Sequence, residues 1–211
     1  MSYKLTLPRS LLHNWMYQRE NNMENNNNWS KTILSVYKFL PRVTYAFDKL
    51  VKSRAYNSLA TSAYNLGFND IMNVANSIIN LTQRKNNLIN IKVISDKALK
   101  SIDKTSAKIL IFKYFNNKKS AEIAQILNIC NRTYFRKLNV ALTHFTYALT
   151  KLGYNSYKLQ QMLKCEKWIM SVYYTYSTCD DKSMENILDS VEFRNKFQKT
   201  LMCEFKKARV G

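Results

Sequence analysis

Three glycines and two prolines in 211 residues constrain this chain more than any other feature. Sandwiches and barrels reverse direction every few residues, and tight turns draw on Gly, Pro and Asn. With Gly and Pro so scarce, the expected fold is all-α. The same scarcity leaves no Gly-rich phosphate loop. The length suits one large domain or two small ones and suffices for a buried core. Hydrophobic residues make up 46% of the chain, too many for a disordered basic tail. Lys and Arg number 33 against 14 Asp and Glu, a formal charge of +19. A charge of that size points to a polyanion: DNA, RNA or an anionic surface.

Several chemistries are disfavoured by spacing. Cys130, Cys165, Cys179 and Cys203 form no close pair, and His13 and His144 stand far apart. A structural zinc site needs four ligands, usually in close pairs. The expectation is therefore no metal and no cofactor, with reduced, half-buried thiols in a cytoplasmic protein. The first twenty residues mix Lys4, Arg9, His13 and Arg19 with apolar residues, unlike a secretory signal. No stretch reaches the roughly 18 apolar residues of a membrane span, so no membrane partner is expected. No carboxylate pair or nucleophile–base arrangement is visible, so no enzymatic activity is expected either.

Four segments follow from the pattern. Residues 1–29 read as an N-terminal tail whose Asn-rich run, NNMENNNN at 21–28, forms a joint. Leu11, Leu12, Trp15 and Met16 suit either a short peripheral helix or an unanchored tail. Residues 30–103 read as a helical bundle. Ser30 caps its first helix, Pro41 interrupts it, and a second runs from near Arg42 to about Leu66, with Gly67 as C-cap. Asn69 caps a third helix through Ile79, and a fourth follows Arg84-Lys85 with Leu88, Ile91, Val93 or Ile94, and Leu99. Residues 104–154 read as a helix-turn-helix DNA-binding unit. Residues 155–211 read as a C-terminal extension of two helices. One carries Leu159, Leu163, Trp168, Ile169 and Val172; the other starts after Asp180-Asp181. The aromatic run WIMSVYYTYS within it is expected in the core or at a protein interface.

The 104–154 segment carries the functional reading. Its first helix holds Ile109, Leu110, Phe112 and Tyr114 and stops at Asn116-Asn117. The second begins after Ser120, a good N-cap, with Ile123, Ala124, Ile126 and Leu127. Ala124 is small enough for a close helix approach. Asn128 tolerates the left-handed conformation that a tight turn needs. Ile129 plugs the angle after the turn. A third helix then runs from about Asn131 to Gly153 with Tyr134, Leu138, Ala141, Leu142 and Phe145 on its inner face. Its outer face shows Arg132, Thr133, Phe135, Arg136 and Asn139, with Lys137 beside them. Arg suits guanine edges, Asn suits adenine, and Phe or a Thr methyl suits thymine methyls. Lys118, Lys119 and Ser120 precede the second helix, where amides and charge can hold phosphate. Residues 105–155 carry eight Lys and Arg against Glu122 alone, +7 of the +19.

The stretch EIAQILNICNRTYFRKLNVAL resembles the fourth region of bacterial sigma factors. Glu122, Ile123, Ala124, Leu127 and Ile129 match that pattern; Asn128 stands for its usual Gly and Cys130 for its usual Ser. The continuation is similar to phage late transcription activators of the RinA/ArpU type. Arg132, Thr133, Tyr134, Phe135, Arg136 and Ala141-Leu142 carry that match. No counterpart of sigma region two is found between residues 30 and 100. The resemblance implies a helix-turn-helix that binds double-stranded DNA, with RNA polymerase as a further partner. The function expected is a sequence-specific transcriptional regulator. The alternatives are a sigma-like subunit and a basic helical protein binding RNA or anionic surfaces. A homodimer would imply a palindromic site, although no clear zipper is seen in the sequence.

Overall fold

The computed structural model describes residues 26–62 and 68–178, with Lys199 as one further position. Among the described residues every regular element is helical, as the Gly and Pro scarcity predicts. Residues 26–36 form α1, followed by a 3-10 turn at Tyr37–Phe39. Then come α2 (Leu40–Ser62), α3 (Phe68–Ser101) and α4 (Lys104–Leu110), which runs into a π turn at Ile111–Phe115. After these follow α5 (Ser120–Ile126), α6 (Asn131–Lys151), α7 (Ser156–Leu163) and α8 (Lys167–Thr178).

The Asn-rich joint ends earlier than expected. Residues 26–29 are already helical, and Asn28 and Trp29 are buried. Trp29 stacks on Tyr173 of α8 with ring centroids 4.4 Å apart. Burying so large a ring outweighs the poor helix propensity of the asparagines around it. Ser30 is therefore inside a helix and does not cap one; its hydroxyl donates to the Asn26 carbonyl at 3.0 Å. Pro41 sits in the first turn of α2, where a missing amide breaks no helical bond.

The third and fourth expected helices are one. α3 runs unbroken for 34 residues, about 50 Å, because it contains neither Gly nor Pro. Arg84 and Lys85 do not separate two helices; they reach sideways to Glu166 and to Asp48. Ile94 is the buried member of the Val93/Ile94 pair, and Val93 is exposed. Leu66 and Gly67 lie outside the described residues.

The C-terminal extension departs in the other direction. The single helix expected across Leu159 and Val172 is two helices, separated at 164–166. Glu166 makes the corner: its carbonyl accepts from the amides of Ile169 and Met170, at 2.9 and 3.0 Å. Trp168, Ile169, Val172 and Tyr176 are buried, so one face of the aromatic run is core, while Tyr174 is exposed. The helix expected after Asp180-Asp181 and the tail at 1–25 lie outside the described residues.

Among the described residues no helix is long and apolar enough to cross a membrane, and no group of side chains could hold a metal. Cys130 and Cys165 are free and exposed, which corrects the expectation of half-buried thiols; Cys179 and Cys203 lie outside the described residues.

Candidate nucleic-acid interface

Asp103 opens the segment by capping α4. Its carboxylate accepts from the Ser106 amide at 2.8 Å and lies 3.1 Å from Nδ1 of His144 on α6. The hydroxyl and amide of Ser106, and then His144, hold the Asp103 carboxyl down at about 2. Buried Ile109, Leu110 and Tyr114 pin α4 and the π turn against the core. The π turn closes with the Asn116 amide on the Ile111 carbonyl at 3.0 Å. Its last ring, Phe115, stacks on Tyr37 at 4.2 Å.

The chain then reverses at Asn117, whose φ is 49°. Lys119, and not Ser120, takes the N-cap position of α5; Ser120 is its first residue. The reason lies in the backbone: Lys119 has the extended conformation a cap requires, with ψ 151°, and its carbonyl accepts from the Ile123 amide at 3.0 Å. Ile123 and Ala124 are buried, and Leu127 and Ile129 pack partly buried against the core. Ile126 is largely exposed.

Asn128 is where the sequence places the left-handed residue, and its φ is 51°. The Ile129 amide reaches back to the Ala124 carbonyl at 3.0 Å, and the Asn128 amide to Gln125 at 3.1 Å. These two bonds satisfy the last carbonyls of α5 in a Schellman motif. Gly153, with φ 84°, ends α6 by the same pair of bonds: Tyr154 to Leu149 at 3.0 Å and Gly153 to Thr150 at 2.9 Å.

Cys130 occupies the N-cap of α6 without capping it through its side chain. Its Sγ lies 3.1 Å from the Thr133 hydroxyl. That hydroxyl and the Thr133 amide favour the thiolate and lower the Cys130 pKa. Tyr134, Leu138, Ala141, Leu142, Phe145, Ala148 and Leu149 bury the inner stripe of α6. Opposite them, Arg132, Phe135, Arg136 and Asn139 are all exposed. Their spacing of 3, 1 and 3 residues puts them on one stripe over the first two turns. Phe135 is 45% exposed, and its ring meets Tyr134 edge-on at 5.1 Å. Thr133 and Lys137 are half-buried along one flank.

Lys118, Lys119 and Ser120 form a separate group at the far end of α5, about 10 Å along its axis. Lys119 is exposed; Lys118 and Ser120 are half-buried. Sequence reasoning missed the continuation of the outer stripe through Val140, Thr143 and Tyr147, which are exposed. The signal was present as spacing, since 136, 140, 143 and 147 repeat the helical period. Further along, Thr146 turns to α1, donating to Asn27 Oδ1 at 2.9 Å, so the second half of α6 is bound into the body.

Compared with protein-family models, curated proteins and solved structures, the chain matches none.

Proposed function

We propose that the chain is a sequence-specific DNA-binding transcriptional regulator, with α5, the Asn128 turn and α6 acting as a helix-turn-helix. The observation that carries this reading is the exposed outer stripe of Arg132, Phe135, Arg136 and Asn139 in the first turns of α6. Two guanidinium groups, an amide and an aromatic edge on one face make a set suited to base edges in the major groove. The buried stripe behind them fixes the helix rigidly, which base readout requires. Lys118 and Lys119 supply positioning contacts to phosphate in this reading, and Lys137 flanks the groove.

The test is selection of bound duplexes from a random pool, followed by binding of the selected site to the native chain and to the Arg132→Ala, Arg136→Ala double variant. The native chain enriches a short motif. The double variant loses about 10- to 1000-fold affinity for it and relaxes selectivity at two positions. Lys118→Ala instead weakens all duplexes alike and lowers the salt slope by about one. Equal binding of motif and scrambled duplex would reject sequence readout and leave a non-specific polyanion binder.

A further inference from the structure

α3 carries a second surface that the helix-turn-helix does not use. Its inner side packs Leu81, Leu88, Ile91, Ile94 and Ala98 into the core. Its outer side mixes exposed asparagines with large apolar side chains. Met72, Ile79, Ile89 and Val93 are between 38% and 54% exposed. These side chains follow a heptad. Met72, Ile79, Asn86 and Val93 recur every seven residues, and Ala75, Thr82 and Ile89 fall three residues after the first three of them. That is the a/d seam of a two-stranded coiled coil. The seam spans residues 72–93, about 30 Å of helix. It escapes notice in the sequence because Arg84-Lys85 reads as a break between two shorter helices.

We propose that this face of α3 packs against α3 of a second copy of the same chain. Three observations select a second copy over another partner. From residue 71 to residue 93 the charged side chains are Arg84, Lys85 and Lys92, and each is paired inside the chain, with Glu166, Asp48 and Asp96. The a and d positions of the seam therefore carry no charge in a chain of +19, so two copies can meet along them without like charges facing each other. Asn86 stands at a core position in the middle of the seam. A single Asn there specifies register and a two-stranded state, because its amide both donates and accepts. Thr82, the other polar seam residue, already donates its hydroxyl to the Ile78 carbonyl at 2.8 Å, so burial leaves no donor unsatisfied. The seam stops at Asp96, which would take the next d position but is held by Tyr37 and Lys92.

The mass of the full chain in solution, free of nucleic acid, tests this. Sedimentation equilibrium is expected to give twice 24.9 kDa at tens of µM. Raised salt preserves that dimer, whereas it weakens DNA binding, so the two readings fail separately. The Ile79→Glu, Val93→Glu double variant retains its far-UV circular dichroism, because both sites are exposed in the single chain. It raises the dimer Kd at least about 100-fold, since each copy then brings two carboxylates into an apolar seam. Tyr157→Glu, at an exposed aromatic of α7, leaves the mass unchanged. Asn86→Ile tightens association and admits higher oligomers. A 24.9 kDa species persisting to about 100 µM overturns the proposal. So does a dimer that the double glutamate variant leaves intact.

Discussion

Arg84 grips Glu166 with two hydrogen bonds, Nε to Oε1 at 2.7 Å and Nη2 to Oε2 at 3.1 Å, joining the middle of α3 to the corner between α7 and α8. Glu166 is buried, and Oε2 also accepts from the Trp168 indole at 3.0 Å. The guanidinium lies 4.9 Å from the Phe47 ring of α2. One ion pair thus ties together four helices, and its two ends differ in solvent access.

That difference makes the two deletions unequal. Arg84→Ala strands a buried carboxylate and is expected to cost about 3–5 kcal/mol. Glu166→Gln keeps an acceptor for Trp168 and leaves Arg84 within reach of water, so its cost is expected nearer 1–2 kcal/mol. Urea unfolding of both variants, followed by circular dichroism, measures the gap. Equal costs would mean that the carboxylate charge is not what the pair stabilises.

The turns at Asn128 and Gly153 do the same work with different residues. A left-handed L-residue costs roughly 1–2 kcal/mol, less for Asn. Asn128→Gly is therefore expected to stabilise by a few tenths of a kcal/mol, and Asn128→Ala to destabilise by about 1 kcal/mol. Gly153→Ala is expected to cost about 1 kcal/mol from φ alone, because an added Cβ at that position meets nothing within 4 Å. Thermal unfolding of the three variants checks the order.

These turns are legible in the sequence because the constraint is local: a left-handed position favours Gly or Asn, and Asn128 and Gly153 each stand directly after an apolar-patterned helix. The inner stripe of α6 was legible for a similar reason, since periodicity survives without knowledge of neighbours. The corner at 164–166 was not legible. Its carboxylate is held by Arg84, 82 residues earlier, a pairing no local pattern reveals. The unbroken α3 is hidden for the converse reason: a basic pair reads as a boundary although nothing in it stops a helix. Ser30 and Ser120 look like caps by residue type, but Ser30 lies inside a helix that carries the buried Trp29, and the extended backbone that caps α5 falls at Lys119.

Asp103 offers a pH readout. Its depressed carboxyl contributes stability that is fully present above the ordinary carboxylate range and is lost as pH falls toward about 2. The contribution is small, because the side chain is half exposed. Carbon-detected NMR titration is expected to place the Asp103 midpoint near 2. Ser106→Ala removes the strongest donor and moves that midpoint up toward the ordinary aspartate value. An unmoved midpoint would assign the depression to the residue 106 amide and His144 instead.

Cys130 reports on the proposed interface without altering it. Its thiol stands at the N-cap of α6, two residues before Arg132, exposed and biased toward the thiolate by Thr133. Thiolate is the reactive form, so Thr133→Val is expected to slow alkylation of Cys130 by iodoacetamide at neutral pH. Cys165, on the corner before α8, is an exposed thiol away from the outer stripe of α6 and serves as the internal reference. Saturating the chain with its selected duplex is expected to protect Cys130 several-fold and leave Cys165 unchanged, as read by peptide mass spectrometry. A duplex entering along Arg132, Phe135 and Arg136 must cover the first turn of α6, whereas a polyanion held elsewhere on the basic surface leaves both thiols equally reactive. Protection of Cys165 without Cys130 would move the interface off α6 altogether.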